Sequence, residues 1–150
     1  MTTTTHIPAL DHSVDSTNVW LADLAAALGT DDRHESYRVL RAFLHTLREG
    51  LTVGESADLA AQLPVVIRGM YFQDWRPHRG IRRFGDRSEF LRRFAREAQI
   101  ESEADVEYAA SAALATLRRH VSPGEVGGIL HELPPDVREL LDGLIVHASS

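Results

Sequence analysis

The sequence predicts an all-α protein, a helical bundle of two tandem four-helix units related by a pseudo-twofold axis. Three observations indicate this class. Apolar residues recur at intervals of three and four, Pro and Gly interrupt the chain at helix-length intervals, and no run of residues alternates as a strand would. With 150 residues and 43% hydrophobic content, the chain can bury a core without disulfides or a structural metal.

An internal repeat emerges when the sequence is shifted against itself by 70 residues. Thr46-Leu47-Arg48 then falls on Thr116-Leu117-Arg118, Leu63-Pro64 falls on Leu133-Pro134, and no gap is needed. This repeat predicts one compact domain with four parts: a flexible tail over residues 1–15, unit one over 16–70, a connector over 71–87 and unit two over 88–147.

The first helix of each unit is expected over residues 17–28 and 88–98, after the capping residues Asp15 and Asp86. The second helix is the longest, and its apolar stripe predicts that the two units pack through these long helices. The stripes are Tyr37, Leu40, Leu44, Leu47 and Leu51 in unit one, and Val106, Ala110, Ala113, Leu114, Leu117 and Val121 in unit two.

The third helix of each unit has the clearest start signal in the chain. Thr52 with Glu55, and Ser122 with Glu125, match the capping box, in which the hydroxyl and the glutamate each bind a backbone amide of the first turn. These glutamates are therefore interpreted as structural rather than as an acid–base pair. The Leu-Pro steps that follow end the third helix and begin the fourth.

Charge is unevenly distributed along the chain, whose formal net charge is −6. Residues 1–67 carry −5 and residues 97–150 carry −7, whereas residues 68–96 carry +6, and every cation is an arginine. A basic middle therefore lies between two acidic arms.

The connector is the unusual segment, because it combines four aromatic residues with five arginines. We expect it to lie against the bundle, anchored by Trp75 and Phe84. The aromatic residues are Tyr71, Phe72, Trp75 and Phe84, and the arginines are Arg76, Arg79, Arg82, Arg83 and Arg87.

Three interpretations of these arginines stay open. They pair with the acidic arms of the same molecule, they bind an acidic face of a protein partner, or they bind RNA or single-stranded DNA with help from the aromatic residues. The candidate binding surface consists of Arg68, Tyr71, Trp75, Arg76, Arg79, Arg82 and Arg83.

Catalytic and metal-binding motifs are missing from the sequence. There is no cysteine, which excludes disulfides, thiolate metal sites and Cys nucleophiles. The eight histidines form no HExxH motif. His120, His131 and Glu132 could approach a metal, but no third ligand follows at the spacing that is diagnostic of a metal site. No Gly-x-Ser-x-Gly or phosphate-cradling glycine motif occurs. We expect no catalytic residue, no metal and no cofactor.

The cellular location is predicted to be cytoplasmic. Residues 1–6 are not followed by an apolar signal segment, and no apolar run is long enough to span a membrane. The absence of cysteine fits a reducing compartment.

The chain resembles an uncharacterised bacterial family, domain of unknown function 2267, over about residues 17–142. The resemblance rests on 28–33, 37–48, Ala61-Gln-Leu-Pro64, Ile67-Arg-Gly-Met-Tyr-Phe72, Trp75 with Pro77, and Glu89-Phe-Leu91. It implies an all-helical, two-unit domain and no catalytic residue. It emphasises Gln62, Arg68, Tyr71, Trp75 and Pro77, whose alternative role is to fasten the connector.

The leading functional hypothesis is a non-catalytic protein that binds another macromolecule, a protein partner or a second copy, in a stress or regulatory setting. The first alternative is polyanion binding through the connector arginines. The second is a small-molecule pocket between the units, near the alanine-rich helix at 105–119.

Overall fold

The computed structural model describes residues 4–149, with side chains described as far as residue 142. This part of the chain forms α-helices and one 3-10 turn and contains no strand, so the all-α class is confirmed. The helices are α1 (Pro8–Leu28), α2 (Arg33–Glu49), α3 (Val53–Ala61), α4 (Val65–Phe72), α5 (Arg87–Ala98), α6 (Glu103–His120), α7 (Pro123–Glu132) and α8 (Pro135–Ser149), with the 3-10 turn at Pro77–Arg79.

Four helices lie on each side of the connector. The starts of α2, α3 and α4 precede those of α6, α7 and α8 by 70 residues each. The spacing of the helix starts therefore matches the shift that aligns the sequence with itself. The duplication and the twofold relation of the units stay predictions.

The predicted start of the first helix is corrected, because α1 begins at Pro8 and residues 8–15 are helical rather than a flexible tail. Pro8 occupies the first helical position, where its fixed φ favours a helix and its missing N–H costs nothing. Asp11 accepts hydrogen bonds from the Thr5 amide and the Thr4 hydroxyl, both at 2.8 Å. These bonds, that of the Thr5 amide first, lower the pKa of Asp11. Residues 1–3 lie outside the described part.

The core forms where α1, α2, α5 and α6 meet. The long helices α2 and α6 touch, but α2 packs mainly on α5, and α6 mainly on α1. The prediction that the units pack through their long helices is corrected accordingly. Aromatic residues explain the α2–α5 pair, since the buried Phe43 ring meets Phe90 and Phe94 edge-on at centroid distances of 6.3 and 5.7 Å.

The apolar stripes predicted for the long helices are buried, with one exception. All six residues of the unit-two stripe are buried, and so are the last four of the unit-one stripe. Tyr37 is 42% exposed. In its turn of α2 the position facing α1 is taken by Ser36, whose hydroxyl donates to the Leu21 carbonyl at 2.7 Å.

The start of α3 has the predicted capping box, with both reciprocal bonds between Thr52 and Glu55. The start of α7 has only half of it. The Ser122 hydroxyl accepts from the Glu125 amide at 3.3 Å, but the Ser122 amide donates to the Gln62 side chain of unit one at 2.8 Å. Burial, then the carboxylates of Asp58 and Glu55, raises the pKa of Glu125.

The fourth helices begin one residue after Pro64 and Pro134, as predicted. Ile67 and Met70 of α4, and Val137, Leu140 and Leu141 of α8, are buried. Leu144 and Ile145, predicted to continue the α8 stripe, lie outside the residues whose side chains are described. Within residues 4–149, none of the helices is both long and apolar enough to cross a membrane.

The Gln62–Ser122 bond between the units gives a first prediction. Gln62→Ala is expected to lower the free energy of unfolding by roughly 0.5–1 kcal/mol, because the Ser122 amide loses its acceptor. Urea denaturation measures the change. Gln62→Glu keeps an oxygen at the same place and serves as the control. Equal losses in the two variants would contradict the role given to this acceptor.

Candidate functional site

The connector leaves α4 by a tight turn and returns to the bundle in extended form. Asp74 adopts a left-handed conformation (φ 61°), and Gly80 follows the 3-10 turn with φ 76°. The left-handed region is accessible to glycine and tolerated by aspartate. These turns bring the residues after Gly80 back to the end of α2.

Two of the predicted surface residues are structural, and their assignment is corrected. The Tyr71 side chain lies in the core, with 0% exposure, and its hydroxyl donates to the Ser56 hydroxyl at 3.0 Å. Burial raises the pKa of Tyr71 to about 12. Arg68 donates to the carbonyls of Ala60 at 2.8 Å and Leu63 at 3.1 Å, which satisfies acceptors at the end of α3.

Two arginines of α2 fix the turn that follows α4. Arg48 donates through Nη1 to the carbonyls of Tyr71 at 2.6 Å and Gln73 at 2.9 Å. Arg41 donates to the Gln73 side chain at 2.8 Å and pairs with Asp74 at 3.3 Å. The turn is therefore held to α2 through its backbone carbonyls and the side chains of Gln73 and Asp74, which accept hydrogen bonds from these two arginines.

Phe84 anchors the far end of the connector, as predicted. Its ring is 5% exposed and meets Phe90 at a centroid distance of 5.1 Å. It also lies against Gly50, where a built Cβ would come within 2.7 Å of the ring. Trp75 is half-buried and packs on Phe72 at 4.9 Å. Phe84 therefore contacts the core, and Trp75 contacts the end of α4.

Arg93 of α5 completes the attachment of the connector. Its guanidinium lies 4.5 Å from the centre of the Phe84 ring and donates to the carbonyls of Arg82 and Arg83. It also pairs with Glu49 at 3.2 Å and with Glu89. One side chain therefore joins α2, α5 and the connector.

The connector arginines project from this fixed backbone into solvent. Arg76, Arg79, Arg82 and Arg83 are exposed, and none has a carboxylate within 4.0 Å among the described residues. Only Arg87 reaches an acidic arm, at Glu107. The other four arginines lie in solvent without such an ion pair in the described part of the chain, and the choice among the three interpretations stays a prediction. The Arg83 side chain instead donates to a backbone carbonyl of α7.

Two neighbouring clefts border these arginines. The connector cleft, of about 100 Å³, lies between the end of α2 and residues 74–82. The α2–α5 cleft, of about 470 Å³, lies between those two helices. They share Arg48, Glu49, Asp74 and Arg82. Together they are lined by eight arginines and four carboxylates, an excess of four positive charges on a chain of net charge −6.

His45 lies on the wall of the α2–α5 cleft and is 6% exposed. Its Nε2 donates to the Met70 carbonyl at 2.8 Å, which fixes the tautomer. Burial lowers the pKa of His45 to about 4, and the nearby charges of Arg48 and Arg41 act in the same direction. The imidazole is therefore neutral at pH 7, and the charge of the cleft comes from its arginines.

Sequence reasoning missed five of the eight arginines that line the clefts: Arg41, Arg48, Arg92, Arg93 and Arg96. Arg92 and Arg96 carried a signal, since residues four apart share one helix face and both lie in the basic segment. Arg41 and Arg48 lie in an acidic segment, and only the packing of α2 beside the connector brings them to the site.

Two other clefts are lined by residues from both units. One of about 480 Å³ is bordered by Trp20 and His120, whose rings stack at 4.8 Å while His120 bonds Asp23 at 2.7 Å. Another of about 530 Å³ is bordered by Tyr108 and Ala109 of the alanine-rich helix. The small-molecule alternative stays a prediction. In the described part of the chain, His, Asp and Glu side chains form no group of three that could hold a metal.

Comparison with known proteins links the chain to one family. Residues 17–140 match the family model of DUF2267, described as an uncharacterized conserved protein. None of the curated proteins matches the chain. The residues emphasised by the resemblance have structural roles: Gln62 joins the units, Arg68 caps α3, Tyr71 fills the core and Trp75 packs on α4.

The close approach of Phe84 to Gly50 gives a second prediction. Gly50→Ala is expected to cost about 1–3 kcal/mol of unfolding free energy, because the ring must leave its place in the core. The backbone of Gly50 (φ −93°) accepts alanine, so strain does not explain the loss. Gly69→Ala, where a Cβ meets nothing within 4 Å, is the control. Equal thermal stability of the two variants would contradict this contact.

The burial of His45 gives a third prediction. The unfolded chain binds a proton at His45 near pH 6.5, whereas the folded chain binds it only near pH 4. The unfolding free energy should therefore fall as the pH is lowered from about 6.5 to about 4, by about 3 kcal/mol from this residue alone. Denaturation of the wild type and of His45→Gln, which keeps a donor for Met70, measures it. Parallel pH profiles would count against a buried neutral imidazole.

Proposed function

We propose that this chain, which belongs to the DUF2267 family, is a non-catalytic binding protein that holds an acidic segment of another protein along its connector. The observation that supports the proposal is the fixed backbone of the connector, from which Arg76, Arg79 and Arg82 project without a carboxylate partner among the described residues. Guanidinium groups bind carboxylates through paired N–H donors. An extended acidic segment would supply the missing counter-charges.

An acidic protein segment fits this surface better than a nucleic acid does. Sequence-tolerant binding of single strands uses exposed aromatic rings for base stacking. Here the rings of Tyr71 and Phe84 are buried, and Trp75 packs on Phe72.

The side chains that line the clefts support the proposal of a binding role without catalysis. They offer guanidinium donors and four carboxylates, three of which are held in ion pairs, while the Thr46 hydroxyl donates to the Ala42 carbonyl in its own helix. The buried His45 bonds a backbone carbonyl rather than a nucleophile. We place the protein in the cytoplasm, in keeping with its lack of cysteine.

Binding of a fluorescein-labelled oligoglutamate peptide, followed by fluorescence anisotropy, tests the proposal. The wild type is expected to bind it with an affinity that falls between 50 and 200 mM salt, about the range over which screening of exposed charges increases. Replacing Arg76, Arg79 and Arg82 with Gln should weaken binding by about tenfold or more. The guanidinium groups supply the attraction, and the backbone bonds of the connector are kept.

The matched control replaces Arg33, Arg118 and Arg119 with Gln. These arginines are outside both clefts, and the triple variant has the same net charge as the connector variant. If both variants bound the peptide equally weakly, binding would depend only on the net charge of the protein, and the proposal would be contradicted. A labelled single-stranded oligonucleotide of equal charge is measured in parallel, and tighter binding of it would favour the polyanion alternative.

A further inference from the structure

The α2–α5 cleft contains more positive charge than its own ion pairs require. Six arginines and four carboxylates line it, namely Arg41, Arg48, Arg82, Arg92, Arg93 and Arg96 with Glu49, Asp74, Glu89 and Glu97. Arg41 holds Asp74, and Arg93 holds Glu49 and Glu89. The other four arginines have no carboxylate within 4.0 Å among the described residues, and Glu97 is the one lining carboxylate left outside these pairs.

Arg48 is the notable member of this group because its side chain is buried. It is 8% exposed, and its described hydrogen bonds all run from Nη1 to the carbonyls of Tyr71 and Gln73. Its Nε and Nη2 have no partner among the described residues, and Arg48 borders both clefts. Arg48 has no carboxylate within 4.0 Å among the described residues, so an anion in the cleft would give this largely buried guanidinium a direct counter-charge.

The chemistry of the cleft favours a phosphoryl group over a carboxylate. A phosphoryl group carries a charge of about −1.5 to −2 at pH 7 and has three acceptor oxygens. It can therefore accept from several guanidinium groups at once, whereas one carboxylate has two acceptor oxygens and supplies a single charge. The volume of about 470 Å³ also leaves room for the side chain that carries the group.

We infer that the α2–α5 cleft binds a phosphoryl group, with Arg48 as the buried anchor and Arg92 and Arg96 closing over it from α5. The inference rests on the proposed function and identifies the partner as a phosphorylated acidic segment. The two clefts share Arg48 and Arg82, so a segment lying along the connector can insert a phosphorylated side chain into the larger cleft.

Two labelled peptides of the same acidic sequence test the inference, one with a central phosphoserine and one with serine. The wild type is expected to bind the phosphopeptide at least about tenfold more tightly, a difference of about 1.4 kcal/mol. Arg92→Gln with Arg96→Gln should abolish this preference. Arg118→Gln with Arg119→Gln, which lie outside the cleft, should retain it. Arg48 itself is left unchanged, because it also fastens the connector backbone.

Titration with inorganic phosphate alone, followed by calorimetry, separates a phosphoprotein ligand from free phosphate. Competition by phosphate that removes only the phosphoserine advantage supports the inference. Equal binding of the two peptides overturns it and leaves the proposed function standing. If neither peptide binds but phosphate does, the cleft is a phosphate site and the proposed function fails. If neither the peptides nor phosphate binds, the inference is wrong. It is also wrong if an oligonucleotide displaces the phosphopeptide at a lower concentration than the phosphopeptide itself.

Discussion

The attachment of the connector depends on Arg93 and the Phe84 ring beneath it. The guanidinium joins two carboxylates on different helices to two backbone carbonyls of the connector, while the ring fills the space above Gly50. Several partners share this one half-buried guanidinium, so their contributions are coupled rather than additive. Without this attachment the arginines would move on a loose loop, and ordering it would oppose any binding.

Local signals predicted most of the helices. Each of these signals acts within one or two helical turns, so a short stretch of sequence is enough to detect it. They are proline at a first helical position, a hydroxyl with a glutamate three residues later, and apolar spacing of three and four. The errors arose where a residue bonds a partner that is distant in sequence. The Ser122 amide donates to Gln62 rather than to Glu125, and Ser36, rather than Tyr37, faces α1 because its hydroxyl donates to the Leu21 carbonyl.

For the same reason, only part of the candidate site could be predicted from the sequence. The connector arginines stand together in the sequence, and the aromatic anchors among them predicted an ordered segment. Arg41 and Arg48 come from a segment with net negative charge, and charge counted along the chain cannot show that α2 turns them towards the connector. Tyr71 and Arg68 were misplaced because burial and carbonyl capping depend on how α4 packs against α3 and α2.

Because backbone bonds and the Phe84 ring position the connector, the side chains of Arg76, Arg79 and Arg82 contribute little to folding. The amide of Arg82 donates to the Glu49 carbonyl at 2.8 Å, and any residue other than proline can make that bond. Mutation can therefore alter these positions without lowering stability towards the threshold at which proteins are lost. The fold therefore separates the residues that stability requires from exposed arginines that selection can revise while the scaffold persists.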